Sequence, residues 1–269
     1  MLAFGAAGAA AAGLFGLRGR DASLQRVQGS GVLRVGCAVE APYVTVGPDG
    51  QVDGESPAVA RAVAHALGVT ARWVLTEFDS LLPQLLAGRY DIVAAGLFVT
   101  PERARRVAFT QPTLQVRPGW LTIAGNPKGL HSYREPPPGG RVRVAVLADS
   151  VEQTVLAAHW PAHALLTVPD AASGRSAVVQ GTVDALALSL PSVRVMATAS
   201  DVALQAIEAI NPGARVDHTA LALRPADRAL RGAVDEALNA YVGSRDHLQA
   251  LAGFGFGRAD LPEGARDGT

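Results

Sequence analysis

What most constrains this chain is an alternation of strand-like and helix-like segments that runs once, breaks and starts again. The stretch VLRVGCAV from Val32 reads as a strand. After the turn residues GPDG, Ser56 and Pro57 open a helix in which Val59, Val63 and Leu67 recur every fourth residue, and Gly68 ends it. Residues 70–76 read as a second strand, 79–87 as a helix with Leu81, Leu82, Leu85 and Leu86 inward, and 90–95 as a third strand. Strands that alternate with helices require a parallel sheet covered on both faces.

The segment 125–140, GNPKGLHSYREPPPGG, holds too much glycine and proline for a regular element and marks an expected lobe boundary. Beyond it the pattern resumes with RVRVAVL, a helix from about Ser150, a strand at 165–168, a helix ending at Gly181 and a strand at 183–189. A last strand then precedes two helices, the first with Leu230, Val234, Leu238 and Tyr241 at helical spacing. The expected division of the 269 residues is a first lobe from 32–124 and 220–262, a second lobe from 125–219, and a tail from 263–269. Two crossover segments, near 123–126 and 220–224, are expected to act as the hinge. Such a pair of lobes leaves a cleft where strand C-termini and helix N-termini converge, the usual ligand position in open α/β sheets.

Residues 1–31 read as a leader and linker: 2–17 are uncharged and rich in alanine and glycine, as in the apolar part of an export signal. No later stretch is apolar for long enough to span a bilayer. Lysine plus arginine equals aspartate plus glutamate at 24 each, so nothing points to a nucleic-acid partner. The single cysteine, Cys37, excludes an internal disulfide and sits in a predicted strand as a small apolar residue. His159 and His163 are four residues apart but flank Pro161, and no metal or other cofactor is expected.

Local chemistry concentrates in AAGLFVTPERARRVAFT. Thr100 suits a helix N-cap and Pro101 the first helical position, so Arg103 falls in a first turn. A cation is disfavoured there unless an anion joins it, and a guanidinium fork is well shaped for a carboxylate.

Together LRVGCAVEAPY, FDSLLPQLLAGRYDIVAAG, TPERARRVAFTQP, GNPKGL, GTVDA and LRGAVDEALNAYVGSRDHLQALAGFGF resemble the extracytoplasmic solute-binding proteins of polar amino-acid ABC transporters. The resemblance spans roughly residues 32–256. It implies the type II periplasmic-binding-protein fold, two α/β lobes on a two-segment hinge, and a protein outside the membrane that delivers a small solute to permease subunits. By that resemblance Arg103 is the carboxylate clamp, and a monomer is expected.

Two departures from the family pattern narrow the solute. Ser189 stands where members that hold an α-amino group usually have aspartate, and Phe98 where a small hydroxyl residue is common. With Tyr43 and Phe78, Phe98 is expected to form an aromatic box with Glu40 at its rim, beside Gly96. Such a box suits a delocalised cation. The pairing of EAPY with AAGLFVTPER is similar to the ectoine and hydroxyectoine branch, whose solute is a cyclic amidinium with a ring carboxylate. A polar amino acid is the alternative solute, and a cyclohexadienyl-dehydratase-like enzyme the alternative class, with Glu40 as its acid. Ser150, with its hydroxyl and helix N–H groups, and the strand end at Ser189 are expected to close the site from the second lobe. Asp149 stands where the family usually has glycine; it is expected among the ligand-binding residues, its carboxylate either repelling the solute's own or hydrogen-bonding a hydroxyl or ring N–H, and with Glu152 it also fits a helix capping box.

Overall fold

A computed structural model of the chain describes residues 21–139, 141–198, 202–210 and 217–266, so the expected export segment lies outside the described residues. The chain enters through α1 (Ser23–Ser30) and β1 (Val32–Cys37), then a short hairpin of β2 (Thr45–Val46) and β3 (Val52–Asp53). Next come α2 (Glu55–Ala66), β4 (Thr70–Leu75), α3 (Leu81–Leu86), β5 (Ile92–Val93) and α4 (Pro101–Ala104). Two long strands, β6 (Ala108–Val116) and β7 (Pro118–Ile123), are parted by Arg117. The second α/β set is β8 (Val144–Leu147), α5 (Val151–His159), β9 (Leu165–Val168), α6 (Ala171–Val179), β10 (Ala185–Ser189), α7 (Leu190–Thr198) and β11 (Leu204–Glu208). The chain then returns through β12 (Asp217–Leu223), α8 (Arg228–Tyr241), α9 (Arg245–Gly253) and α10 (Glu263–Arg266).

These strands make two five-stranded sheets of matching design, in the orders β4-β1-β5-β12-β6 and β11-β7-β10-β8-β9. In each, the α/β strands pair in parallel and one strand of the crossing ribbon joins them antiparallel. Both sheets are covered on both faces, which explains why their strands read as continuous apolar runs. Leu33 and Val35 of β1 meet Val63 of α2 and Leu230, Val234 and Leu238 of α8 on one face of the first sheet. Cys37, Leu81, Leu85 and Leu114 fill the other. In the second lobe Trp120 and Val144 pack with Leu156 and Trp160 on one side, and Leu121 and Leu186 with Val178 and Val193 on the other. The terminal helices thus return to the first lobe.

The lobes join one strand earlier than the composition indicates. β6 belongs to the first sheet and β7 to the second, so the first crossing is at Arg117 rather than 123–126. Residues 220–223 lie inside β12, paired with β6, so the return crossing comes before Asp217. Of the expected break at 125–140, the described residues 125–139 form a loop within the second lobe. The punctuation at the true crossing is the dipeptide Pro118-Gly119, where the antiparallel neighbour Glu208 of β11 forms an ion pair with Arg117 at 2.8 Å.

The ends of the chain also differ from expectation. Residues 23–30 of the expected linker form α1, whose Val27 is buried in the first-lobe core, and the Leu230 N–H donates to Ser23 Oγ at 3.1 Å. Leu261 is fully buried, and α10 occupies part of the expected tail. Leu86 is 42% exposed instead of inward, because α3 ends with it and offers the core only the face of Leu81, Leu82 and Leu85.

At the end of the first sheet remote from the cleft, Asp91 ties three adjacent strands. It accepts from Arg34 Nη2 at 2.7 Å and Nε at 3.0 Å, and Arg224 Nη2 lies 3.5 Å away. Burial pushes the Asp91 carboxyl up, but the Arg34 hydrogen bonds outweigh it and hold the group below the usual carboxylate range. Asp91→Ala leaves two guanidinium groups facing an empty acceptor and is expected to cost about 2–4 kcal/mol. Urea unfolding checks it as a lower midpoint with an unchanged slope.

Candidate functional site

The cleft between the lobes is lined by residues at and just beyond the C-terminal ends of the strands: Glu40 after β1, Phe78 after β4, Gly96 and Phe98 after β5, Asp149 after β8 and Ser189 at the end of β10. This is the geometry of an open parallel sheet, whose strand ends lack covering helices and leave backbone and side chains free to meet a ligand. The cleft opens on two sides of Phe78. One mouth, a cavity of about 520 Å³, is lined by Phe78, Thr100, Arg103 and Asp149. The other, about 350 Å³, is lined by Glu40, Phe78, Leu147 and Asp170.

Arg103 is set by local sequence chemistry. Thr100 caps α4, its hydroxyl accepting from the Arg103 N–H at 3.1 Å, and Pro101 occupies the first turn. The side chain then turns inward and is only 8% exposed. Its Nη1 donates to the Phe98 carbonyl at 3.0 Å, and its Nη2 reaches across the cleft to the Asp149 carbonyl at 2.7 Å. The guanidinium stands over the Phe78 ring with its carbon 5.6 Å from the centroid. Among the described residues Arg103 makes no ion pair, and burial pulls its pKa down while the charges of Glu152, Asp149 and Glu102 act against that. A buried cation whose fixed partners are neutral carbonyls has unmet capacity for an anion.

Glu40 and Tyr43 are held by a tight turn. Glu40 and Val44 exchange backbone hydrogen bonds at 3.0 and 2.9 Å, and the carbonyls of Pro42 and Tyr43 accept from the first N–H groups of α2. From this turn a hydrogen-bond chain crosses the cleft: Tyr43 Oη donates to Ser189 Oγ at 3.2 Å, Ser189 Oγ to Ser192 Oγ at 3.0 Å, and Ser192 Oγ to Glu40 Oε1 at 2.8 Å. The lobes are therefore closed on one another through polar groups of both. Burial pushes the Glu40 carboxyl up to about 7, against the hydrogen bond from Ser192.

The expected site residues do not all hold the places assigned to them. Tyr43 is only 2% exposed, with its ring packed 5.5 Å from that of Phe256, so only its hydroxyl reaches the cleft and it is not an open wall of an aromatic box. Gly96 is what lets that ring sit there: its φ of +62° suits glycine, and a Cβ would collide with the Tyr43 ring. Phe78 and Phe98 are half-buried at the edge of the same core. Asp149 has a φ of +57°, a left-handed conformation that favours glycine; it gives Arg103 its carbonyl, while its side chain stays exposed. Ser150 spends its hydroxyl on capping α5, accepting from the Gln153 N–H at 3.0 Å. Gln153 Oε1 in turn accepts from the Asp149 N–H at 2.9 Å, so the capping pair is Ser150 with Gln153, not Asp149 with Glu152.

Three buried groups are given no site role by the sequence reading. Ser192 links Glu40 to Ser189; it lies one helical turn into the segment SLPS, which carries no distinguishing signal. Glu152 is a buried acid whose carboxyl burial pushes up to about 8. Glu55, at the start of α2, is also buried and pushed up to about 7; it accepts from Ser56 Oγ at 2.7 Å, while Ser56 Oγ accepts from the Gly96 N–H at 2.9 Å. Among the described residues no cluster of His, Cys, Asp and Glu could hold a metal ion, and no helix is long and apolar enough to cross a membrane.

The model of the bacterial extracellular solute-binding proteins, family 3, matches residues 33–250. A Sinorhizobium fredii protein named "Probable amino-acid ABC transporter periplasmic-binding protein y4tE" is 31% identical over 248 residues, 90% of this chain and 81% of that protein. The crystal structure of EhuB in complex with hydroxyectoine is similar with a TM-score of 0.81 at 30% identity, covering 88% of this chain and 93% of EhuB. A Streptococcus pneumoniae amino acid ABC transporter substrate-binding protein bound to L-arginine shares the fold, with a TM-score of 0.76 at 21% identity over 86% of this chain and 96% of its own.

The raised Glu40 carboxyl has a measurable sign. Its charge becomes a growing burden on the folded state as pH rises from its ordinary 4.5 to about 7, and stays a burden above that. Glu40→Gln is therefore expected to raise the melting temperature of the ligand-free protein at pH 8 and to leave it unchanged at pH 4.5. Thermal melts at the two pH values check this; a lower melting temperature at pH 8 would assign Glu40 a structural role.

Proposed function

We propose that this chain, which belongs to the bacterial extracellular solute-binding proteins of family 3, captures a small zwitterion of the ectoine or hydroxyectoine kind. As a member it is the solute-binding component of an ABC importer of the amino-acid type, a binding protein that works with membrane permease subunits. The finer reading includes export of the chain by its N-terminal segment, action as a monomer, and delivery of the closed, loaded form to the permease.

The observation that carries the solute reading is Arg103: a buried guanidinium whose protein partners are two carbonyls, one from each lobe. A solute carboxylate supplies the charge that the protein withholds, and its binding favours the closed state because the Asp149 carbonyl arrives only on closure. Glu40 stands on the other side of Phe78, so a solute reaching from one to the other crosses that ring with its cation near Glu40. A planar amidinium there gains from the ring face, and Ser189 leaves a primary ammonium without its usual acidic partner. The hydroxyectoine held by EhuB has this pairing of charges and supports the choice.

A polar amino acid is the second reading, favoured by the Sinorhizobium relative and by the buried Glu152, an acid available to an ammonium. The dehydratase reading has less support, since the family whose model matches is one of solute-binding proteins.

Calorimetric titration with ectoine, hydroxyectoine, glycine betaine and polar amino acids tests the proposal. Saturable binding of the ectoines at micromolar concentration or below is expected; binding of an amino acid alone replaces the first reading with the second. Arg103→Ala is expected to weaken whichever solute binds by at least about tenfold, because a desolvated carboxylate loses its partner. Unchanged affinity in that variant overturns the clamp.

A further inference from the structure

Of the described residues other than glycine, Asn126 and Asp149 are the two with a positive φ, at 47° and 57°. A residue with a Cβ is disfavoured in that region, so each turn needs support. Asn126 supplies its own: its Oδ1 accepts from the Leu130 N–H and its Nδ2 donates to the Leu130 carbonyl, both at 2.9 Å. Asp149 is held from outside. Among the described residues its carboxylate accepts no hydrogen bond, and the support comes from Gln153, in the first turns of α5.

The turn runs from Leu147 to Ser150, closed by the Ser150 N–H donating to the Leu147 carbonyl at 3.3 Å, with Asp149 in the third place, where glycine is preferred. Gln153 holds it with both ends of its carboxamide. Its Oε1 accepts from the Asp149 N–H at 2.9 Å, and its Nε2 donates to Thr167 Oγ1 at 3.2 Å. The backbone N–H is a donor only, which fixes the end of the amide that faces it. The first bond ties the turn to α5, and the second ties the carboxamide to β9, the strand beside β8. What the turn presents to the cleft is the Asp149 carbonyl, which accepts from Arg103 Nη2 at 2.7 Å. Gln153 lines the same mouth of the cleft as Arg103 and Asp149. The cap of α5 is separate, because Ser150 Oγ accepts from the Gln153 backbone N–H and makes no use of the carboxamide.

We propose that Gln153 is a positioning residue for closure: its carboxamide holds the Asp149 turn left-handed, so that the Asp149 carbonyl meets Arg103 when the lobes come together. The inference rests on the reading of Arg103 as the clamp on which solute binding and closure depend. A turn that relaxes out of the left-handed region points its carbonyl elsewhere, and the closed form loses one of its polar bridges between lobes. Gln153 acts on the closed form and not on the solute. It therefore scales the affinity for every solute by the same factor and leaves the preference between solutes unchanged.

The test uses the full chain as wild type, Gln153→Ala, Asp149→Gly and the double variant, titrated by calorimetry with ectoine and with L-arginine. Gln153→Ala is expected to weaken binding by about fivefold, the scale of one neutral hydrogen bond, and by the same factor for each probe that binds. Its melting temperature should stay close to that of wild type, since the Ser150 cap is intact. Asp149→Gly removes the need for a brace, because glycine adopts this φ without strain. In that background, adding Gln153→Ala is expected to change affinity by less than about twofold. A loss of equal size in both backgrounds overturns the inference, since Gln153 then acts by a route other than Asp149, and so does wild-type affinity in Gln153→Ala. In the ligand-free protein, hydrogen exchange at the Asp149 amide reads the brace directly. Gln153→Ala is expected to lose the protection of that amide, and unchanged protection overturns the inference whatever the solute. A wild-type chain that binds neither probe overturns the solute reading instead, and the amide exchange then decides the brace alone.

Discussion

The buried charge of Arg103 is the constraint on which the rest of the cleft depends. A guanidinium that is 8% exposed, lies over the Phe78 ring and, among the described residues, donates from its side chain to the Phe98 and Asp149 carbonyls without an ion pair keeps its charge unneutralised inside protein. Each surrounding feature serves to hold it there: the Thr100 cap that fixes the first turn, the β5 strand end that delivers Phe98, and the left-handed Asp149 that turns its carbonyl toward the cleft. The acids near it act at a distance, without an ion pair, so the site keeps its attraction for an anion from outside.

Closure gives that arrangement its meaning. The two lobes are linked where β6, paired antiparallel with β12 in the first sheet, runs into β7, paired antiparallel with β11 in the second. Across the gap, the chain Tyr43–Ser189–Ser192–Glu40 and the Arg103–Asp149 contact each take one end from each lobe. Opening the cleft breaks both at once. A solute that adds a carboxylate at one side of Phe78 and a cation at the other adds contacts that exist only in the closed form, and so shifts the population toward it.

Much of the fold is legible in the sequence because its signals are local. Helix α2 follows from Val59 and Val63 at four-residue spacing, and the capped turn at Arg103 from Thr100 and Pro101. The illegible parts depend on distant partners. The first lobe crossing is misplaced from sequence because the Gly/Pro-rich segment from Gly125 outweighs Pro118-Gly119, and only strand pairing tells the two apart. Tyr43 reads as a cleft wall until Gly96 and Phe256 are brought against its ring. The capping segment ADSVEQ holds two overlapping matches, Asp149 with Glu152 and Ser150 with Gln153; the one-residue shift between them decides whether Glu152 is a helix cap or a buried acid.

The most direct test of the central claim compares one zwitterionic solute with its own carboxamide. The two share the cation, the shape and most of the apolar surface, and differ in the charge offered to Arg103. Titration of the wild-type chain with each is predicted to favour the free acid by about thirtyfold or more, the scale of a desolvated charge pair worth roughly 2 kcal/mol. Equal affinity for acid and amide would contradict the account, because it would mean that the buried guanidinium is satisfied by its carbonyl partners and does not recognise a carboxylate.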